Sequence, residues 1–224
     1  LSGIQAGLVL IVSDDPGAHS SVKEEDTRYF APPAHTPLLE PDSPEDTRRM
    51  LPWAFDLSEK AKLPVIIRLV TRICHARGNV TLESVRQSAA PPEFSGTPGF
   101  ITAGRFHSRC HDRLTSIQPD LNSAPFNSYT GPPIPELTIV TSGVSHMYAR
   151  EAVERLDAEE RVGIFRLGTV WPLPETLVRD ILSRSRRVLF LEEIEPFLEE
   201  QVRAASSRLA PDHPPVFLGR TSGD

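Results

Sequence analysis

The chain has 224 residues, with 24 Lys and Arg against 30 Asp and Glu and a formal charge of −6. At roughly 150 residues per domain this length points to one large or two small domains, and the acidic balance argues against a nucleic-acid footprint or a polybasic anchor. The longest apolar stretch, Ala6 to Val12, is far below the ~20 residues needed to cross a bilayer, and no Lys or Arg precedes it as a signal segment requires, so a soluble, cytoplasmic protein with no nucleic-acid or membrane partner is expected.

Gly7 to Ser13, GLVLIVS, is a β-branched, continuously apolar run, the pattern of a strand covered on both faces of a parallel sheet. The chain starts at Leu1 rather than Met and reaches this run within a few residues, as expected for a piece of something longer. A polar loop follows, and Leu38-Leu39 reads as a short strand. Ser43 can cap a helix that takes Pro44 at its first position and Glu45 and Asp46 in its first turn. Leu51, Ala54, Phe55, Leu57 and Ala61 carry that helix to Lys60–Lys62, with Pro52 expected to bend it. Pro64 to Val70, PVIIRLV, is a second buried-strand pattern.

From about Gly78 to Pro135 the periodicity dissolves at Pro91-Pro92, Gly96, Pro98-Gly99, Pro125, Gly131-Pro132-Pro133 and Pro135. The stretch reads as a proline-rich linker, either carrying a little structure of its own near His107 to Leu121 or lying along a neighbouring surface. The last third is more regular. Strand patterns at 137–141, 162–167, 187–191 and 216–218 alternate with helical patterns at 145–156, 174–183 and 196–209, the signature of βαβ units in a mostly parallel sheet. The fold expected is α/β, two such layers joined by a strap.

The densest polar constellation is Asp14 to Phe30, which gathers His19, Ser20, Ser21, Lys23, Arg28 and five acids after a buried strand. In an open parallel sheet, ligands sit off the carboxyl ends of the strands. Two readings stand: a ligand-facing loop, or a solvated connection in which Ser20 or Ser21 with Glu24 caps a following helix. Arg68, Thr71, Arg72, Cys74, His75 and Arg77 straddle the end of the second strong strand. Arginine there suits a carboxylate or phosphate, and structural ion pairs with Glu24, Glu25 or Asp26 are the competing reading.

Other chemistry is poorly supported. Cys74 and Cys110, the two cysteines, are too few for a disulfide framework and too far apart for a CxxC pair. His107-Ser-Arg-Cys110-His111 lacks the spacing of a four-donor zinc site, so no metal is expected. Gly143-Val-Ser145-His146-Met147 has Met where a nucleophile elbow needs glycine, and no phosphate-binding glycine loop is present. Gly143 and Gly168 read as tight turns after strands.

Several blocks together carry a family resemblance. DDPGAHSS, EEDTRYF, LLEPDSPEDT and PVIIRLVTRICHARG in the first half, then TIVTSGVSHMYAREAVE, FRLGTVWPLPETLV, VLFLEEIEPFLEEQV and GRTSG, resemble the large (alpha) subunit of indolepyruvate ferredoxin oxidoreductase, a thiamine-diphosphate 2-oxoacid oxidoreductase. The resemblance covers nearly the whole chain in order. It implies that residues 1–78 are the C-terminal part of a pyrimidine-binding domain, 79–135 a linker, and 136–224 a transketolase C-terminal-like domain.

The activity implied is oxidative decarboxylation of an aryl pyruvate to its acyl-CoA. Thiamine diphosphate and Mg2+ act at the carbon centre, and [4Fe-4S] clusters lead to ferredoxin. A smaller beta subunit, ferredoxin, coenzyme A and the 2-oxoacid are the implied partners, in a hetero-oligomer. The activating glutamate, the Gly-Asp-Gly site and the cluster cysteines lie outside this stretch in the family. The segment alone is therefore expected to be inactive, with no catalytic residue, no metal and no bound cofactor of its own. His19, Ser20, Ser21, Glu24, Asp26 and Arg28 match the family's strand-end loop and are the implied cavity residues, with Arg68 and Arg72 behind them. Lys23-Glu24-Glu25-Asp26 stands where the family usually has Asn-Glu-Gln-Asp, a departure bearing on substrate preference. The rival readings are a non-catalytic assembly module and a transketolase- or synthase-type thiamine enzyme without ferredoxin.

Overall fold

A computed structural model describes residues 4, 6–84, 105–209 and 214–222, with the side chains of 105, 106 and 209 excepted. The turn signals at Pro91-Pro92, Gly96 and Pro98-Gly99 lie outside the described residues. Strands and helices are numbered in chain order. β1 (Val9–Asp14), β2 (Leu38–Leu39) and β3 (Val65–Val70) form a sheet with β7 (Thr169–Trp171), in the order β1-β3-β2-β7. A second sheet orders β4 (Ser128–Thr130), β6 (Val162–Arg166), β5 (Leu137–Thr141), β8 (Arg187–Leu191) and β9 (Val216–Leu218).

The two strong apolar runs of the first half lie side by side and parallel, Val9 opposite Val65 and Asp14 opposite Val70. β5, β6, β8 and β9 pair in parallel throughout. The departures from parallel pairing are two short outer strands, β4 against β6 and β7 against β2. Three-residue strands are too brief for a period-2 pattern to declare them, and Pro-Gly neighbours hide them further.

Alternation along each strand sorts side chains into layers. Val65 and Ile67 of β3 face a cluster with Met50, Ala54 and Leu57 of α2 (Pro44–Ala61), Cys110 and Leu114 of α4 (Arg105–Ser116) and Leu121 of α5 (Gln118–Asn122). Ile66 faces the other way, into a cluster shared with Leu38, with Val140 and Phe165 of the second sheet, and with helices α7 (Glu175–Arg184) and α8 (Phe197–Leu209). The far face of the second sheet, Ile139 and Ile164, is covered by α6 (Ser145–Arg155) through Ala149 and Val153. One apolar layer therefore serves both sheets. A fully buried Leu or Ile side chain stabilises by about 1.5–3 kcal/mol, so separating the sheets would expose many such side chains at once.

Ser43 caps α2 as its sequence predicts, its hydroxyl accepting from the Asp46 amide at 3.2 Å. The helix runs through Pro52 without interruption to Ala61 and ends at Lys62 in the left-handed conformation. The 79–135 stretch contributes α4, α5 and β4, the first two packed against the first sheet and the last hydrogen-bonded to the second. Gly143 does make a turn after its strand, with φ +52. Gly168 serves differently: a Cβ there would lie 2.5 Å from the Phe126 Cβ, so it permits close approach of the strap. The edge strand β1 leaves Leu10 and Ile11 exposed.

Candidate functional site

The carboxyl ends of β1, β2 and β3 in one sheet face those of β5 and β8 in the other, and charged side chains fill the space between. Arg68, near the end of β3, reaches Asp14 at the end of β1 through Nε and Glu40 just past β2 through Nη1 at 2.6 Å. Glu40 also accepts from the Ser142 hydroxyl, just past β5, at 2.5 Å. Asp14 accepts in addition from the Thr27 amide and hydroxyl at 3.0 Å each.

Arg28 makes the second node. It sits in the one-turn 3-10 helix Thr27–Phe30, which Asp26 caps by accepting from the Arg28 amide. Its guanidinium pairs with Asp26, donates to Glu192 at 2.6 Å, and donates to the backbone carbonyls of Glu193 at 2.7 Å and Glu195 at 2.8 Å. The Phe197 ring lies 5.5 Å from its charge centre. Arg28 is 1% exposed. Burial alone would lower its pKa, but the Asp26 bond and the charges of Glu40 and Glu192 raise it above the ordinary arginine value. The carbonyls that hold it flank Ile194, a β-branched residue at φ 63. Such a residue rarely visits that region, and strain of this kind costs on the order of 1–3 kcal/mol.

A further cluster lies alongside. Asp42 bonds His146 Nδ1 at 2.8 Å and pairs with Arg166 at 3.1 Å, and Arg166 also pairs with Asp46. Burial would raise the Asp42 pKa, but the His146 bond and the Arg166 charge lower it.

The strand-end loop from Asp15 to Glu25 is built the opposite way. Asp15 organises it by accepting from the Ser20 amide at 2.6 Å, the Ser21 amide at 2.8 Å and the Thr71 hydroxyl, while His19 Nδ1 lies 3.3 Å away. The Thr71 bond first, then the serine amides, hold its pKa well below the ordinary value of 3.8. Glu24 accepts from the Gly17 amide. No helix follows Ser20 or Ser21, so the capping-box reading is corrected: their amides bond back to Asp15, and the next turn is capped by Asp26. An open basin of about 320 Å3 lies between this loop and β1, lined by Asp14, Asp15, Ser21 and Lys23 among others.

The sequence-selected residues thus fall into two groups. Arg28, Arg68 and the carboxylate of half-buried Asp26 are enclosed in the inter-sheet cluster, whereas His19, Ser20, Ser21 and Glu24 are on the exposed loop. Arg72, partly exposed, pairs with Glu193 at 2.9 Å. Of the ion-pair partners expected for Arg68, Asp26 is present at 4.0 Å, and Glu24 and Glu25 are replaced by Asp14 and Glu40, because register brings strand ends together more closely than it brings the loop acids. Glu40, Ser142, Asp42, His146 and Arg166 were not among the residues selected. Glu40 stands directly after the Leu38-Leu39 strand, so the carboxyl-end rule alone could have found it.

Between the nodes, Arg28, Glu40, Arg68, Ser142 and Glu193 line a cavity of about 10 Å3, room for one water. Arg68 Nη2 is buried there without a hydrogen-bond partner.

Residues 135–218 match the family described as pyruvate:ferredoxin oxidoreductase core domain II. The fold is shared with a 2-oxoglutarate:ferredoxin oxidoreductase from Magnetococcus marinus (TM-score 0.65, 15% identity, 95% of this chain and 45% of that one). It is also shared with a split-gene transketolase (TM-score 0.57, 20% identity, 94% of this chain and 56% of that one). The α/β architecture described above is therefore one that both of these proteins share. In sequence the chain is a relative of the indolepyruvate oxidoreductase subunit IorA. Identity is 37% to the Thermococcus kodakarensis protein and 35% to that of Pyrococcus horikoshii, each over 90% of this chain and 32% of the relative. Against the Methanothermobacter thermautotrophicus protein it is 34%, over 92% of this chain and 34% of the relative. The chain spans about a third of the length of these relatives.

Proposed function

We propose that the chain serves as part of the large subunit of an indolepyruvate ferredoxin oxidoreductase, which oxidatively decarboxylates aryl 2-oxoacids to acyl-CoA and passes two electrons to ferredoxin. The observation that carries this reading is the 37% identity maintained over 213 residues, through both sheets rather than one. Residues 1–78 are read as the C-terminal part of the pyrimidine-binding domain, 79–135 as the connection, and 136–224 as the transketolase C-terminal-like domain. A cytoplasmic hetero-oligomer with a smaller beta subunit follows from the same reading, with coenzyme A as acyl acceptor.

Thiamine diphosphate, Mg2+ and [4Fe-4S] clusters belong to the whole enzyme in this reading. The described residues do not fit the diphosphate end of the cofactor. Four carboxylates, Asp14, Asp26, Glu40 and Glu192, surround two guanidiniums at the nodes, and that acidic surplus repels a polyanion. The two described cysteines, one exposed and one buried, fall short of the four thiolates a cubane normally takes.

What these residues supply is a wall. Arg28, Asp26 and Arg68 fasten the two sheets at their carboxyl edges, where α/β folds place ligands. His19, Ser20, Ser21, Glu24 and Arg72 present donors and acceptors from that edge toward the reaction cavity. Arg68 Nη2, which makes no hydrogen bond and has only the Asp26 carboxylate 4.0 Å away, gives the wall one buried cationic donor suited to a carboxylate.

The test is anaerobic co-expression of the complete reading frame that encodes this chain with its small-subunit partner, followed by assay of indolepyruvate, phenylpyruvate and pyruvate. Coenzyme A-dependent ferredoxin reduction, fastest with the aryl substrates, is expected. Cluster-loaded protein that reduces ferredoxin with none of the three sinks the proposal.

A further inference from the structure

We propose that His35, His107 and His111 bind one divalent transition-metal ion of the zinc class, tying α1 (Ala31–Ala34) to α4. His107 and His111 stand four residues apart on α4, so both rings emerge from one helix face. Their sequence context lacks a CxxC partner and gives no reason to expect a metal. The third donor comes from far away in the chain. His35 caps α1 in the left-handed conformation (φ 53, ψ 42), its amide donating to the Ala31 and Pro32 carbonyls.

The geometry is that of three donors converging on a point. One ligand atom from each histidine lies within 4.8 Å of the other two, and the Nε2 atoms of His107 and His111 are 3.1 Å apart. Ring centroids are separated by 4.7, 4.8 and 4.9 Å, with planes crossed at 82° to 90°. Imidazoles bound to a tetrahedral ion at ~2.0–2.1 Å place their donor nitrogens about 3.3 Å apart and their ring centres about 5 Å apart. A hydrogen bond between His107 and His111 would account for those two rings. It gives no reason for the third to stand edge-on to both.

Cys110, which sequence places between the two helix histidines, is 1% exposed and packs in the core with Leu114 and Ile117. The group therefore offers three nitrogens and a fourth position for water. Imidazole donors select zinc, nickel, copper or cobalt over magnesium and calcium. His107 and His111 are exposed and His35 half-buried, so an ion enters directly from solvent. α1 follows without a break from the turn that holds Arg28, and the ion would anchor that turn to α4.

The test uses the full chain, stripped with a chelator, then titrated with Zn2+ by calorimetry and with Co2+ by visible absorption. About one ion per chain is expected, with the intense absorption of four-coordinate cobalt and a melting temperature that rises with free Zn2+. His35→Gln, His107→Gln and His111→Gln should each weaken binding by at least about tenfold, while His75→Gln leaves it unchanged. Circular dichroism confirms that each variant is folded, and a double variant, His107→Gln with His111→Gln, is the arm for any single variant that is not. Absence of stoichiometric binding by the parent chain overturns the proposal. So does equal affinity in the folded histidine variants.

Discussion

Two polar constellations share the carboxyl edge of the first sheet and are built from the same residue types to opposite effect. Around Arg28 and Arg68 every charged side chain is almost wholly buried and nearly every hydrogen is placed. In the Asp15 to Glu25 loop the bonds run mostly from exposed backbone amides to the half-buried Asp15 and the exposed Glu24 carboxylates, and Lys23 pairs with Glu25 at 3.1 Å in open solvent. The difference teaches that composition does not rank charges by importance. A buried pair holds its partners because losing one leaves an uncompensated charge, whereas a solvated pair is replaced by water at little cost.

Arg28→Met should break the comparison most sharply. It strands Asp26 and Glu192 in the interior, and a loss of about 3–5 kcal/mol is expected from urea unfolding. A loss under about 1 kcal/mol would show that the cluster does not fasten the sheets. Arg68→Lys keeps the charge but cannot span Asp14 and Glu40 with a planar fork, so roughly 1–3 kcal/mol should be lost by the same measurement. Ile194→Gly tests the strained turn that holds Arg28. Relief of the left-handed conformation should raise stability by about 1 kcal/mol, and a decrease would show that the Ile194 side chain matters more than its backbone.

Within the solvated loop the effects should be smaller and dependent on pH. A carboxyl whose folded pKa is depressed contributes stability that is present above its unfolded value and lost as pH falls through the folded one. Asp15, held below 3.8 by Thr71 and the serine amides, is such a group. Asp15→Asn should therefore melt lower than the parent at neutral pH, and the gap between the two should begin to close below about pH 4, vanishing only as the pH falls through the much lower folded value. Parallel curves down to acid would remove Asp15 from this role. Lys23→Ala, at the bottom of the scale, should stay within about 0.5 kcal/mol of the parent.

Long elements with a clear period were legible in the sequence. The α2 cap at Ser43, the β3 run and the regular strand-helix alternation after residue 137 express local pattern and burial together, whereas the β1 run forms its strand but leaves Leu10 and Ile11 exposed rather than covered on both faces. The short strands β4 and β7 were not legible, because three residues carry no period and their partners are distant. The polar cluster was legible as a location, since strand ends are predictable. Its wiring was not: the partners of Arg28 at Glu192, Glu193 and Glu195 lie over 160 positions away, and only the packing of one sheet against the other selects them. His35 joins His107 and His111 because α4 packs on the first sheet, a contact across more than seventy positions that local pattern does not encode.

The strand β7 bears on how the chain acquires its shape during synthesis. Leu38 and Leu39 of β2 gain a second neighbour only when Thr169 and Trp171 have emerged, over a hundred residues later. At about 5–20 residues per second, the nascent first sheet waits several seconds or more with an open flank. Over that interval the polypeptide is exposed to mispairing of the kind chaperones suppress, and a chain cut at 135 and expressed as its N-terminal piece should aggregate unless the missing strand is supplied in trans.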